Sequence, residues 1–277
     1  MVAQNNVEKY INNGIAKYES KDFHGAIQDF NKAIEINPNF ADAYIGRGLA
    51  KEGLTDYSGA IQDYNKAIEI DPNYAEAYNN RGICKHLLKD YEGAINDYSK
   101  AIKIDPNNNN YYNNRGLTLN NLKDYEEAIE DFTKSILINP ISAASFYGLG
   151  LAKENLADYG AAINYYTRAI AINPNLSDAY NGRGTAKAWL IVHSGATNNF
   201  SEFREKTLQD FNYYSEAIKD FSKALEIKPN FAEAYFNRGF FKFHIGGDTN
   251  GACSDWRKAA ELGDSRASDL INQNCQN

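Results

Sequence analysis

Five of the six prolines stand 34 residues apart, at Pro38, Pro72, Pro106, Pro140 and Pro174, and this period constrains the fold more than any other feature of the 277-residue chain. The sixth, Pro229, follows Pro174 by 55 residues, one period plus 21. A fixed period of this size marks stacked supersecondary units, none of which can bury its apolar face alone. A chain this long would otherwise suggest two globular domains, but an array grows by stacking rather than by enlarging one core.

The same register aligns other columns. One reads Gly14, Gly48, Gly82, Gly116, Gly150, Gly184 and Gly239. Four residues earlier lie Tyr10, Tyr44, Tyr78, Tyr112, Phe146, Tyr180 and Tyr235. A second pair of columns reads Ala26, Ala60, Ala94, Ala128, Ala162, Ala217, Ala252, and four residues later Phe30, Tyr64, Tyr98, Phe132, Tyr166, Phe221, Trp256. Steps of four put each pair on one helical face, so every unit holds two amphipathic helices, A and B. Asp22, Asp56, Asp90, Asp124 and Asp158 are N-caps for helix B, and Asp124 with Glu127 predicts a capping box. The proline ends helix B, because the residue before it is pushed out of the helical region.

Aromatic-x-x-x-Gly, then Ala-x-x-x-aromatic, then Pro at this period resembles the tetratricopeptide repeat, here of the Asn-Arg-Gly kind seen in bacterial members. The resemblance covers about residues 7–263. It implies an all-α, right-handed superhelical solenoid of seven helix-turn-helix units, with a concave groove lined by the A helices and occupied by peptide segments of partner proteins. The expected units are 7–40, 41–74, 75–108, 109–142, 143–176, 177–231 with an insertion at about 191–212, and 232–263. An N-terminal tail at 1–6 precedes them, and a capping helix at 264–277 follows.

Comparing the repeats with one another exposes a covariation. The residue before the glycine is Arg47, Arg81, Arg115, Arg183 or Arg238 in five units, where the family usually has Leu. The residue before the helix-B aromatic is Asp29, Asp63, Asp97, Asp131, Asp220 or Asp255. The fifth unit changes both together, to Leu149 and Tyr165. Contact between the two columns accounts for this, as an ion pair inside each hairpin. An arginine ladder for an anionic ligand is the competing reading.

Family resemblance places Ile45, Leu49, Asn79, Ile83, Asn113, Leu117, Tyr147, Asn181 and Phe236 on the groove face. The Asn amides suit a peptide backbone, offering both donor and acceptor, although Asn is frequent throughout the chain. Acidic residues near the helix-A starts, among them Asp178 and Glu233, favour a neutral to basic partner segment. Some family members hold a chaperone's C-terminal carboxylates with Lys, Arg and Asn. Ile11 and Ile15 stand where that set would begin, so this role is not expected.

In the sixth unit Phe200, Phe203, Leu208, Phe211, Tyr214, Ile218 and Phe221 recur at helical steps. They predict one helix over about 200–227, capped by Asn199 and passing through Tyr213 where other units have the cap Asp. Its Phe-rich start, 194–211, reads either as an exposed contact or as a stripe folded back on Trp189, Leu190 and Ile191. The alternative function follows from the first of these, a structural subunit that self-associates as a homodimer through Phe200, Phe203 and Phe211. Cys253 and Cys275 flank the last turn at similar distances, so their sulfurs should be neighbours, with two reduced thiols preferred over a disulfide.

Net charge is −7 with both signs interleaved, which argues against nucleic acid held by a basic face. No run of 18 apolar residues exists to span a membrane. The first residues lack a basic start and apolar run, so the cytoplasm is expected, or export if Cys253 and Cys275 pair. No phosphate loop, metal-ligand spacing or nucleophile–base pairing is visible, so no enzyme activity, cofactor or metal is expected.

Overall fold

The computed structural model describes residues 2–194 and 208–275, and among these it contains helices and turns but no strand. The helices are α1 (Val2–Glu19), α2 (Phe23–Ile36), α3 (Ala41–Gly53), α4 (Tyr57–Ile70), α5 (Ala75–Leu87), α6 (Tyr91–Ile104), α7 (Asn109–Leu122) and α8 (Tyr125–Ile138). They continue with α9 (Ala143–Asn155), α10 (Tyr159–Ile172), α11 (Ser177–Ser194), α12 (Leu208–Ile227), α13 (Ala232–Phe241), a π-helical turn (Lys242–Gly246), α14 (Thr249–Glu261) and α15 (Ser265–Asn274). Two compact units divide the chain between Asn139 and Pro140. The first holds four hairpins, α1–α2 to α7–α8. The second holds α9–α10, α11–α12 and α13–α14, with α15 packed on α14.

Within each unit a helix pairs most closely with its hairpin partner, and each B helix also packs on the next A helix. Successive A helices touch one another directly, α1 to α3 to α5 to α7 in the first unit and α9 to α11 to α13 in the second. That closeness puts the A helices on the inner side of each unit. It depends on the small-residue columns. The alanines from Ala26 to Ala252 are fully buried, and so are the helix-B aromatics from Phe30 to Trp256. A Cβ added at Gly48 would meet Tyr64 Cε1 at 2.6 Å, so the glycine is where the ring lies against helix A.

Both helix boundaries of the hairpin follow from local chemistry. Helix B ends at Asn37, Asp71, Asp105, Asn139 and Asn173, each in an extended conformation just before a proline. The turn from A to B passes through a left-handed residue, Lys21, Thr55, Lys89, Lys123 or Ala157, with Gly247 in the last unit. The next residue caps helix B. Asp22, Asp56 and Asp90 accept from Gly25, Gly59 and Gly93 at 2.9 to 3.0 Å.

Three expectations meet a different structure, and a fourth is met over the described residues. The capping box at Asp124 does not form, and its side chain makes no cap bond. A Cβ here crowds the cap carboxylate, since one on Gly25 or Gly59 would sit 2.1 Å from it. With Ala161 in this position the bond is 3.2 Å, and with the larger Glu127 there Asp124 makes none. Residues expected as an N-terminal tail are helical from Val2. The helix expected over 200–227 is continuous from Leu208 to Ile227, with no break at Tyr213. Asn199, Phe200 and Phe203 lie outside the described residues, and Phe211 falls in the first turn of α12. Tyr214 and Ile218 of its apolar stripe pack with Trp189. Finally, Cys253 and Cys275 are not two reduced thiols but a disulfide, with Cα atoms 5.7 Å apart. Two α-helices folded back about the Gly263 turn bring the apolar side of each to the other, which places both sulfurs in one layer.

Candidate partner-binding face

Each arginine of the covarying column sits at mid-helix on A and meets a buried aspartate on B of its own hairpin. The Arg–Asp contacts for Arg47–Asp63, Arg81–Asp97, Arg115–Asp131, Arg183–Asp220 and Arg238–Asp255 measure 2.5 to 2.7 Å. In each, Nε and Nη2 form a two-pronged bond to the carboxylate. Lys17 serves Asp29 in the first repeat, which has no arginine. A second cation one turn on, Lys51, Lys85, Lys187 or Lys242, joins four of the aspartates at 2.8 to 3.0 Å. The arginines are therefore committed inside the fold, and an anion ladder is not what they form. Leu149 in the fifth repeat is buried and Tyr165 half-buried.

The sequence did not reveal the arginine's third bond. Nη1 reaches back to the preceding hairpin: Arg47 to Asn31, Arg81 to Asn65, Arg115 to Ser99, Arg183 to Thr167 and Arg238 to Ser222, at 2.6 to 3.2 Å. One guanidinium thus closes its own hairpin and ties it to the one before.

The groove columns lie on the A helices of both units. In the first unit Ile45, Asn79 and Asn113 are buried, while Leu49, Ile83 and Leu117 are half-buried and line the inner side. Asn79 Oδ1 accepts from Asn114 Nδ2 at 2.9 Å, and Asn79 Nδ2 donates to Asn80 at 3.1 Å. In the second unit Asn181 Oδ1 accepts from Asn237 Nδ2 at 3.1 Å. These Asn amides therefore bond A helix to A helix. Tyr147 and Phe236 are half-buried, and the Phe236 ring stacks on Phe240 at 6.3 Å.

In the second unit, α9, α11 and α13, with Tyr166 of α10, border an open cavity of about 160 Å³. Tyr147, Glu154, Asp178, Asn181, Glu233 and Asn237 contribute to its lining, which includes three carboxylates and no Lys or Arg. Glu154 accepts from the Tyr166 hydroxyl at 2.5 Å. Burial pushes the Glu154 carboxyl up to about 7, the Tyr166 bond works against that shift, and the Glu233 charge adds to it. Glu154 was missed because its column varies from repeat to repeat: Tyr18, Glu52, His86, Asn120, Glu154, Ala188. The available signal was a second covariation. Glu stands there in two repeats whose helix-B aromatic is Tyr, and in each the tyrosine hydroxyl donates to it, Tyr64 to Glu52 and Tyr166 to Glu154. Burial raises the Glu52 carboxyl as well. Among the described residues, no three His, Cys, Asp or Glu side chains converge as metal ligands, and no helix is long and apolar enough to cross a membrane.

Family models described as tetratricopeptide repeat match residues 75–108, 110–141 and 143–176, and one described as TPR repeat matches 14–54, 56–88 and 212–246. No curated protein sequence matches the chain. Among solved structures, a tetratricopeptide repeat protein from Parabacteroides merdae is 19% identical with a TM-score of 0.72, covering 98% of this chain and 100% of that one. PilF of Pseudomonas aeruginosa is 19% identical with a TM-score of 0.67, covering 84% and 97%. YrrB, described as a TPR protein with an unusual peptide-binding site, is 22% identical with a TM-score of 0.52, covering 74% and 95%. At these identities the likeness concerns the fold.

Proposed function

This chain belongs to the tetratricopeptide repeat family, and from that premise we propose that it is a protein-interaction scaffold, not an enzyme, which holds a segment of a partner on the A-helix face. The observation that carries this reading is the cavity between α9, α11 and α13, a concave site walled by Tyr147 and rich in acceptors. The half-buried side chains Leu49, Ile83 and Leu117 in the first unit, with Phe236 in the second, supply apolar contact for the same role. The chemistry favours a neutral to basic segment. Affinity capture from the source cell tests it, comparing the native chain with Leu49→Arg and Phe236→Arg. The expected result is a partner lost from the variant in the unit that holds it. A capture unchanged by either substitution would refute binding on this face.

The Cys253–Cys275 disulfide supports an oxidising, exported setting, since cytosolic thiols stay reduced. Fractionation of the source cell with the thiol state of Cys275 as readout checks this, and a chain found reduced in the cytosol contradicts it.

A further inference from the structure

The cavity of the second unit lacks donors more than anything else. Three carboxylates line it, from Glu154, Asp178 and Glu233, with no cation among its lining side chains. The amides in its wall are already engaged: Asn237 Nδ2 donates to Asn181 and Thr185, and Asn181 Nδ2 to Glu233. Of the Glu154 oxygens, Oε2 takes the Tyr166 hydroxyl, and among the described residues no hydrogen bond reaches Oε1. Glu154 is half-buried with Oε1 open to the cavity, so the site offers acceptors to a donor-rich guest.

Size and distribution narrow the occupant. A cavity of about 160 Å³ on the A-helix face is large enough to admit a long side chain. The carboxylates do not converge on one point as metal ligands would. A compact ammonium satisfies a single cluster of acceptors, whereas a guanidinium spreads five donors across separated ones. Tyr147 adds an aromatic wall, its ring 5.8 Å from that of Tyr166, on which a planar cation can lie.

We propose that this cavity is a subsite for one arginine side chain of the partner segment, with Glu154 accepting the guanidinium and Asp178 and Glu233 flanking it. The assignment rests on the reading that the A-helix face carries the partner. A library of random dodecamer peptides, panned in parallel on the full chain and on Glu154→Gln, tests both. The glutamine keeps an acceptor for Tyr166, so the fold is retained, and Glu233→Gln on the cavity wall serves as a second variant. The expected outcome is a set of peptides sharing an arginine at one position. Replacing that arginine by citrulline, or Glu154 by Gln, should each weaken a synthetic peptide roughly tenfold or more, and the two together no further than either alone. Two results overturn the subsite while leaving the groove reading intact: enriched peptides without a fixed arginine, or with binding equal on native chain and Glu154→Gln. Failure to enrich any peptide, or enrichment that Leu49→Arg and Phe236→Arg do not disturb, refutes the groove reading and the subsite with it.

Discussion

A buried carboxylate is tolerated only while its counter-charge remains, and the ladder places that requirement in unequal settings. Asp63, Asp97, Asp220 and Asp255 each have an arginine and a lysine, whereas Asp131 has Arg115 alone, because Leu119 fills the lysine column. Arg115→Ala should therefore cost about 3–5 kcal/mol, and Arg81→Ala distinctly less because Lys85 remains. Urea denaturation of the two variants decides this, and equal losses would contradict it. Glu154 gives the opposite case, an acid held without a cation. Tyr147, Tyr166, Asp178 and Glu233 surround it, none of them positive. Its folded-state value of about 7 lies above the ordinary 4.5, so the protonated form is favoured on folding. Stability is thus gained below the unfolded value and lost as pH rises through about 7. Glu154→Gln, a permanent mimic of the protonated form, should gain in Tm over the native chain between about pH 5 and pH 8. A difference that stays flat across that range would show Glu154 to be solvated. At this scale the ladder was legible because acid and base change together at Leu149 and Tyr165. The backward bond was not, since Asn31, Asn65, Ser99, Thr167 and Ser222 differ in kind and read as surface positions. Nor was the use of Asn79 and Asn181 between helices, because an amide serves a peptide and a neighbouring amide equally well.

Helix ends and turns carry most of what distinguishes one hairpin from the next. The left-handed turn residue is glycine in the last unit but a β-carbon-bearing residue at Lys21, Thr55, Lys89, Lys123 and Ala157. That conformation costs an L-residue roughly 1–2 kcal/mol. Ala157 is exposed and has no side chain to sacrifice, so Ala157→Gly should stabilise the chain by about 0.5–1 kcal/mol after the added freedom of the unfolded state. Thermal unfolding measures it, and a net loss would show the turn to be unstrained. The end helix depends on a different device. Its Ala267 and half-buried Leu270 and Ile271 pack on Trp256, and the disulfide closes a 22-residue separation around that contact. Cys275→Ser should remove about 3 kcal/mol and free the α15 amides to exchange while those of α9 and α10 stay protected. Helix type and register were plain from the columns, because spacing alone fixes the faces. The state of the two cysteines was not, because spacing brings sulfurs together and the surrounding redox chemistry decides the bond.

Cooperativity in such a molecule follows nearest neighbours, since within each unit a hairpin packs on the ones beside it. Phe221 fills the sixth hairpin, fully buried against Ala188, Ala217 and Phe241. Phe221→Ala should cost about 3–5 kcal/mol and lower hydrogen-exchange protection in α11 to α13, leaving α3 to α6 near native values. Uniform loss along the chain would mean a single cooperative core. An interior hairpin behaves as a bifunctional monomer, with a donor head, the guanidinium, and an acceptor tail, the residue after the helix-B aromatic. The first repeat carries Asn13 where the head belongs, and the last carries Arg257 where the tail belongs, so both are chain terminators. Leu149 leaves the fifth repeat without a head as well. Two copies of this chain accordingly cannot couple end to end through the linkage that joins their own hairpins. Such growth would require the terminators themselves to be rewritten, Asn13→Arg at one end and Arg257→Ser at the other.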